Sequence, residues 1–224
     1  MKSDTVPPDT VPPIEAVMIV VATFGIWLFA GAASFILLGN GPALIIEELL
    51  VMVVPFGYLL ARKINVRSYI GAGIKPKTLL LGLAVGALLI IFDIFVVNLL
   101  FAILGTSQAI EEENKIIADL ISSPPGLLSV LIAMTLAGVC EEFTFRGFLL
   151  NAIDRKYSFG PALLVSSLAF AFFHLDFQFV NTIFAFLMGL MLGYVYHRWH
   201  SYTLCAVAHA TIDLVAVAMT LLIR

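Results

Sequence analysis

The residues able to do chemistry in this sequence are few, and all sit inside apolar runs. Glu141, Glu142 and Arg146 share the string Cys140-Glu-Glu-Phe-Thr-Phe-Arg146. His174 follows Phe170 by four positions, and Asp213 follows His209 by four. An ionisable group in a membrane span costs some ~2.5–3.5 kcal/mol on insertion scales, so each is by default a functional-site hypothesis. Helix positions i and i+4 share a face, so Glu142 can pair with Arg146, which leaves Glu141 without a cation. An unpaired carboxylate facing a wet cavity is a candidate general base. Two imidazoles on separate helices are candidates for holding a water or for stabilising charge that builds on a carbonyl oxygen. The bland alternative for Glu141 is a packing hydrogen bond to a neighbouring helix. No serine or threonine on these faces is placed to replace the water, and Cys140 and Cys205 read as small buried hydrophobes rather than nucleophiles. Glu141, His174, His209 and Asp213 are also competent zinc ligands. The chain lacks a His-Glu-x-x-His string, so the metal-free arrangement is favoured and zinc is the alternative.

The elements that must position these groups are membrane helices. Hydrophobic residues make up 61% of the 224 positions and charged ones 12%, with a mean hydropathy of +1.06. This balance excludes a soluble fold. A span needs about 20 mostly apolar residues, and that ruler predicts an all-α polytopic bundle of about seven, over 15–38, 43–61, 79–104, 127–150, 160–175, 180–197 and 202–222. The fifth and sixth are short and joined by a tight turn. Residues 1–13 are expected to be a disordered tail and 14–224 one membrane domain. The acidic segment Ser107–Ile121 reads as a surface helix. The small-xxx-small pairs Gly82/Gly86 and Gly189/Gly193 read as packing within the chain.

Lys and Arg in short loops stay cytoplasmic. The loop with Arg62, Lys63, Arg67, Lys75 and Lys77 is therefore expected inside, with the amino terminus inside as well. On a rise of roughly 1.5 Å per residue, Glu141 falls some 10–13 Å from the inner face and His209 and Asp213 roughly 10–16 Å, with His174 nearer the outer side. Glu47 and Glu48 read as the start of the second span, shifted toward the interface, or else as facing a water-filled cavity. Asp93 reads as a helix–helix hydrogen bond, and His197 and His200 as headgroup contacts.

Taken in order, Glu141-Glu142-x-x-x-Arg146, Phe170-x-x-x-His174 and His209-x-x-x-Asp213 resemble the motif set of the CPBP family, the CAAX proteases and bacteriocin-processing enzymes also called Abi. The resemblance covers about residues 125–220. It implies an intramembrane endopeptidase with a site toward the cytoplasmic side, Glu141 and His174 activating water, and His209 and Asp213 near the oxyanion, with Glu142, Arg146 and Phe170 in support. Many members carry asparagine at the position of Asp213. An ionised Asp213 cannot donate to an oxyanion, so here it either carries a proton or orients His209. The implied partners are the lipid bilayer and a membrane-associated or lipidated peptide, with no nucleic acid, and the expected location is a prokaryotic plasma membrane. Two other classes stay open: a non-catalytic immunity or scaffold protein of the same fold, and a small proton-coupled transporter. No inverted repeat supports the transporter.

Overall fold

A computed structural model describes residues 10–223 of the chain, which are helical throughout apart from short connections. Most of the expected tail, residues 1–9, lies outside the described residues. Val11 is buried in the core, and Pro13 opens the first helix. Nine helices follow among the described residues: α1 Pro13–Leu38, α2 Asn40–Ala61, α3 Val66–Tyr69, α4 Pro76–Leu104, α5 Gln108–Leu120, α6 Pro124–Asp154, α7 Phe159–Phe173, α8 Val180–Trp199 and α9 Tyr202–Ile223. Proline in the first turn starts α1, α4 and α6, where its missing N–H would be unpaired anyway. Gly39 and Gly105, at φ +78° and +83°, end α1 and α4 in a conformation that other residues resist.

Six of these helices are long and apolar enough to cross a membrane, and α7, at 15 residues, is not. The expected fifth span, 160–175, is therefore a short apolar helix that stops at His174. Lipid-side surface is plain on α4, where Leu83, Leu88, Ile91, Ile94 and Phe95 are exposed. Asp93 is half-buried there, and no hydrogen bond from it to another described residue supports the expected helix–helix bridge.

The long helix α6 is the hub, packing against α2 on one side and α9 on the other. Its stretch Phe143–Leu150 is π-helical, and all eight residues are buried. A π turn bonds i to i+5 and leaves backbone groups to be satisfied from outside. Ser166 Oγ donates to the Phe145 carbonyl within the segment at 2.8 Å, and Tyr202 Oη donates to the Val139 carbonyl just before it at 2.9 Å. The same device repairs α2, where Pro55 cannot donate to Val51. Thr144 Oγ1 supplies that bond at 2.8 Å.

Close approach between helices falls where small residues allow it. Gly82 and Gly86 of α4 lie against Val207, Ala208 and Thr211 of α9, and Gly189 and Gly193 of α8 against Ser167 and Leu163 of α7. Both small-xxx-small pairs thus pack inside the chain. Gly138 of α6 meets backbone instead, since a Cβ there would stand 2.6 Å from the Ala210 nitrogen and 2.7 Å from the Ala206 carbonyl oxygen. Backbone cannot yield as a side chain can, and overpacking of this kind costs about 1–3 kcal/mol. Gly138→Ala should therefore lower the melting temperature of the detergent-solubilised protein clearly, whereas Gly25→Ala, with open space around it, should leave it nearly unchanged. Equal melting of the two variants would contradict the packing described.

Candidate active site

Glu142 is fully buried, and its Oε1 accepts from Arg146 at 2.7 Å, one turn ahead on α6. The same oxygen lies 2.9 Å from His209 Nδ1 on α9. A carboxylate can only accept, so Nδ1 carries the proton, and Nε2 of His209 is left for other work. Arg146, also fully buried, reaches the Gly189 carbonyl at 3.4 Å and stacks over the Phe170 ring at 4.5 Å. Its guanidinium thereby ties α6, α7 and α8 together.

Glu141 points elsewhere, into the space between the two imidazoles. Its Oε1 is 3.9 Å from His174 Nε2 and its Oε2 is 3.7 Å from His209 Nε2. Asp213 Oδ2 approaches the same His209 nitrogen at 3.6 Å. These separations exceed a hydrogen bond and leave room for a small third group touching several of them. His174 is fixed from behind: its Nδ1 donates to the Phe170 carbonyl at 3.0 Å, and its ring lies against the Phe170 ring at 4.7 Å. Its Nε2 then faces Glu141. The structure thus brings Glu141, His174, His209 and Asp213 to one place, with Glu142, Arg146 and Phe170 behind them. The task of orienting His209 falls to Glu142 through Nδ1, while Asp213 lies on the Nε2 side.

The two histidines meet different oxygens of Glu141. Among the described residues no three His, Cys, Asp or Glu side chains have the spacing of a preformed metal site. A zinc ion would need its ligands about 2.0–2.3 Å from a single point.

A cavity of about 380 Å³ opens from Glu141 and His174 and runs to α5. Glu47 and Glu48 line it. Since α2 begins at Asn40, they stand two turns inside the helix rather than at its interfacial start. The expected surface helix α5 lies across the mouth and contributes Glu112 and Glu113. The Glu113 side chain is open to the cavity yet surrounded by protein, and that burial raises its carboxyl above the ordinary range. His174 opposes the shift and Glu141 adds to it.

The loop after His174 is held by Asp176, a residue that the sequence alone does not single out. Burial pushes the Asp176 carboxyl up, but a Ser107 hydroxyl at 2.7 Å, the Thr182 amide at 3.1 Å and the Thr182 hydroxyl outweigh it and hold it below the usual carboxylate range. Any signal for this is weak: Asp-x-x-x-x-x-Thr before an apolar helix.

The cavity lies toward the end of the bundle that carries α5. Toward the basic end, Glu141 is followed by the fully buried π segment. The site was expected to open on the cytoplasmic side, and the basic loops were expected to be cytoplasmic. The cavity and the basic loops are at opposite ends, so those two expectations are incompatible. Helix α6 runs on to Asp154, thirteen residues past Glu141.

Residues 123–215 match the family model described as Type II CAAX prenyl endopeptidase Rce1-like. Over that segment, less than half of its length, the chain is similar to the CAAX prenyl endopeptidases. The matched segment contains all seven residues of the cluster, whereas the cavity residues Glu47, Glu48 and Glu113 lie outside it. No curated protein and no solved structure matches the chain.

The buried Glu142–Arg146 pair makes a sharp prediction. Removing one partner of such a pair typically costs about 3–5 kcal/mol, because the other charge is stranded. Arg146→Met should strongly destabilise the protein, and the double variant Glu142→Leu/Arg146→Met should recover part of the loss in thermal unfolding. A double variant no more stable than Arg146→Met alone would show that the pair is not energetically coupled.

Proposed function

We propose that the protein is an intramembrane endopeptidase of a prokaryotic plasma membrane that hydrolyses a peptide bond with water activated by Glu141 and His174. The observation that carries this reading is a carboxylate with no lysine or arginine beside it that lies between two imidazoles inside the bundle, with Glu141 and His174 lining a cavity. The family match supports the reaction class.

In this mechanism a water beside Glu141 gives its proton to the carboxylate and its lone pair to the scissile carbonyl carbon. His174 accepts from that water through Nε2, since Nδ1 is committed to Phe170. His209, its Nδ1 proton held by Glu142, takes the opposite flank, where an imidazolium can donate from Nε2 to the oxygen that becomes negative. Each donor of this kind is worth about 10²–10³ in rate. Glu141 then returns its proton to the leaving amine. Asp213 stands beside that histidine, where it is proposed to compensate the charge on the ring. The substrate is a membrane-associated or lipidated peptide, the class indicated by the prenyl endopeptidase named in the family description.

Glu141→Gln keeps the size of the side chain and removes the base. Mass spectrometry of membrane peptides from cells carrying the wild-type chain should show new termini that vanish with Glu141→Gln. Identical peptide sets would favour the non-catalytic scaffold over the enzyme. The metal-free form predicts purified protein with far less than one zinc per chain and cleavage that survives 1,10-phenanthroline. Inactivation by the chelator with recovery on adding zinc would replace the glutamate mechanism by a zinc one while leaving the endopeptidase in place.

A further inference from the structure

The distribution of charge over the two ends of the bundle fixes how it sits in a membrane. Of the ten Lys and Arg among the described residues, eight lie at one end: Arg62, Lys63, Arg67, Lys75 and Lys77 between α2 and α4, Arg155 and Lys156 after α6, and Arg198 closing α8. Buried Arg146 aside, the remaining one among the described residues is Lys115 at the other end, set among Glu111, Glu112, Glu113 and Asp119. These connections are short, the condition under which Lys and Arg decide orientation. The basic end is therefore cytoplasmic.

That end is closed. Between it and Glu141 lie Phe145, Phe148, Leu149 and Leu150, each at most 1% exposed. The segment before α4 seals the surface. Gly71 packs so closely on the α8–α9 turn that a Cβ would stand 2.4 Å from the His200 carbonyl oxygen, and the Gly73 amide donates to Thr203 Oγ1 at 3.1 Å. Asn151 Nδ2 donates to the Tyr69 carbonyl at 2.6 Å, and Tyr196 Oη to that of Ile70 at 3.2 Å. The opposite end is open. The cavity passes from Glu141 and His174 along Glu48 and Glu47 to Phe35, Leu44 and Ala109, which belong to the last turns of α1 and the first of α2 and α5.

We propose that the chamber admits substrate from the non-cytoplasmic side of the membrane, past α5, and that the substrate is a segment of a translocated protein still held in or against the outer half of the bilayer. The proposal rests on the endopeptidase reading for what the chamber does, but its geometry stands without it. A peptide confined to the cytoplasmic surface would meet the sealed face formed by the π segment and the α3–α4 connection.

Site-directed thiol labelling tests this in the full chain in intact cells. The two native cysteines, Cys140 and Cys205, are both wholly buried and are replaced by Ala, with the parent variant as the blank. Thr106→Cys and Ser122→Cys mark the α5 end, Lys63→Cys and Lys75→Cys the basic end, and Ala109→Cys the cavity wall. With a membrane-impermeant maleimide on intact cells, Thr106→Cys, Ser122→Cys and Ala109→Cys should label, and Lys63→Cys and Lys75→Cys only after permeabilisation. Labelling of the basic-end pair in intact cells, or of Ala109→Cys only after permeabilisation, overturns the proposal. Neither outcome depends on catalysis, so loss of cleavage with Glu141→Gln remains a separate test of the endopeptidase.

Discussion

One carboxylate oxygen, Glu142 Oε1, holds the functional half of the molecule together. It accepts from Arg146 and from His209 at once, with no exposure to solvent on its own side chain. In so dry a place an unpaired charge is costly, and a paired one is rigid. Through that oxygen α6 is registered against α9, and through Arg146 both are registered against Phe170 on α7 and Gly189 on α8. The adjacent residue, Glu141, is thereby placed between two imidazoles without being bonded to either. Its freedom to act depends on its neighbour's lack of it.

How much of this is legible in the sequence follows the range of the interaction concerned. The pairing of Glu142 with Arg146 is a matter of one helical turn, and the spacing of the two residues shows it, as it shows that Glu141 has no cation within reach on its own helix. The long apolar helices are equally legible, because crossing a bilayer depends on local composition alone. The π segment is not. An i→i+5 register leaves no mark in hydropathy, and here a carbonyl within it and one just before it accept from the hydroxyls of Ser166 and Tyr202, residues on other helices. Glu47 and Glu48 are undervalued by sequence for a related reason. Whether an acid in a span faces lipid, protein or a cavity depends on what packs opposite, and here that is α5, more than sixty positions away in the chain.

The arrangement also bears on whether such a chain could be a scaffold. A scaffold needs its buried charges neutralised, and Glu142 with Arg146 meets that need. Glu141, Glu47 and Glu48 do not: they stand together on one cavity wall with no lysine or arginine among the residues that line it. Stability alone gives no reason for that grouping, because charged groups inside a membrane are kept at a cost that function usually explains.

The short helix α7 completes this logic. Backbone that leaves the helix at membrane depth is tolerated only where protein or a cavity satisfies its polar groups. On roughly 1.5 Å per residue, a helix of 15 residues reaches only about 22 Å from the basic end, so His174 and the turn after it begin inside the apolar layer. Each polar group that the turn releases has a receiver. The His174 ring takes the Phe170 carbonyl, the Thr182 hydroxyl contacts the His174 carbonyl at 3.1 Å, and the Asp176 carboxylate gathers Ser107 and the Thr182 amide. Meanwhile Leu175, Phe177 and Phe179 turn their apolar side chains outward. Ending the helix early, with the break sealed by Asp176, is what lets an imidazole face the Glu141 carboxylate across the cavity.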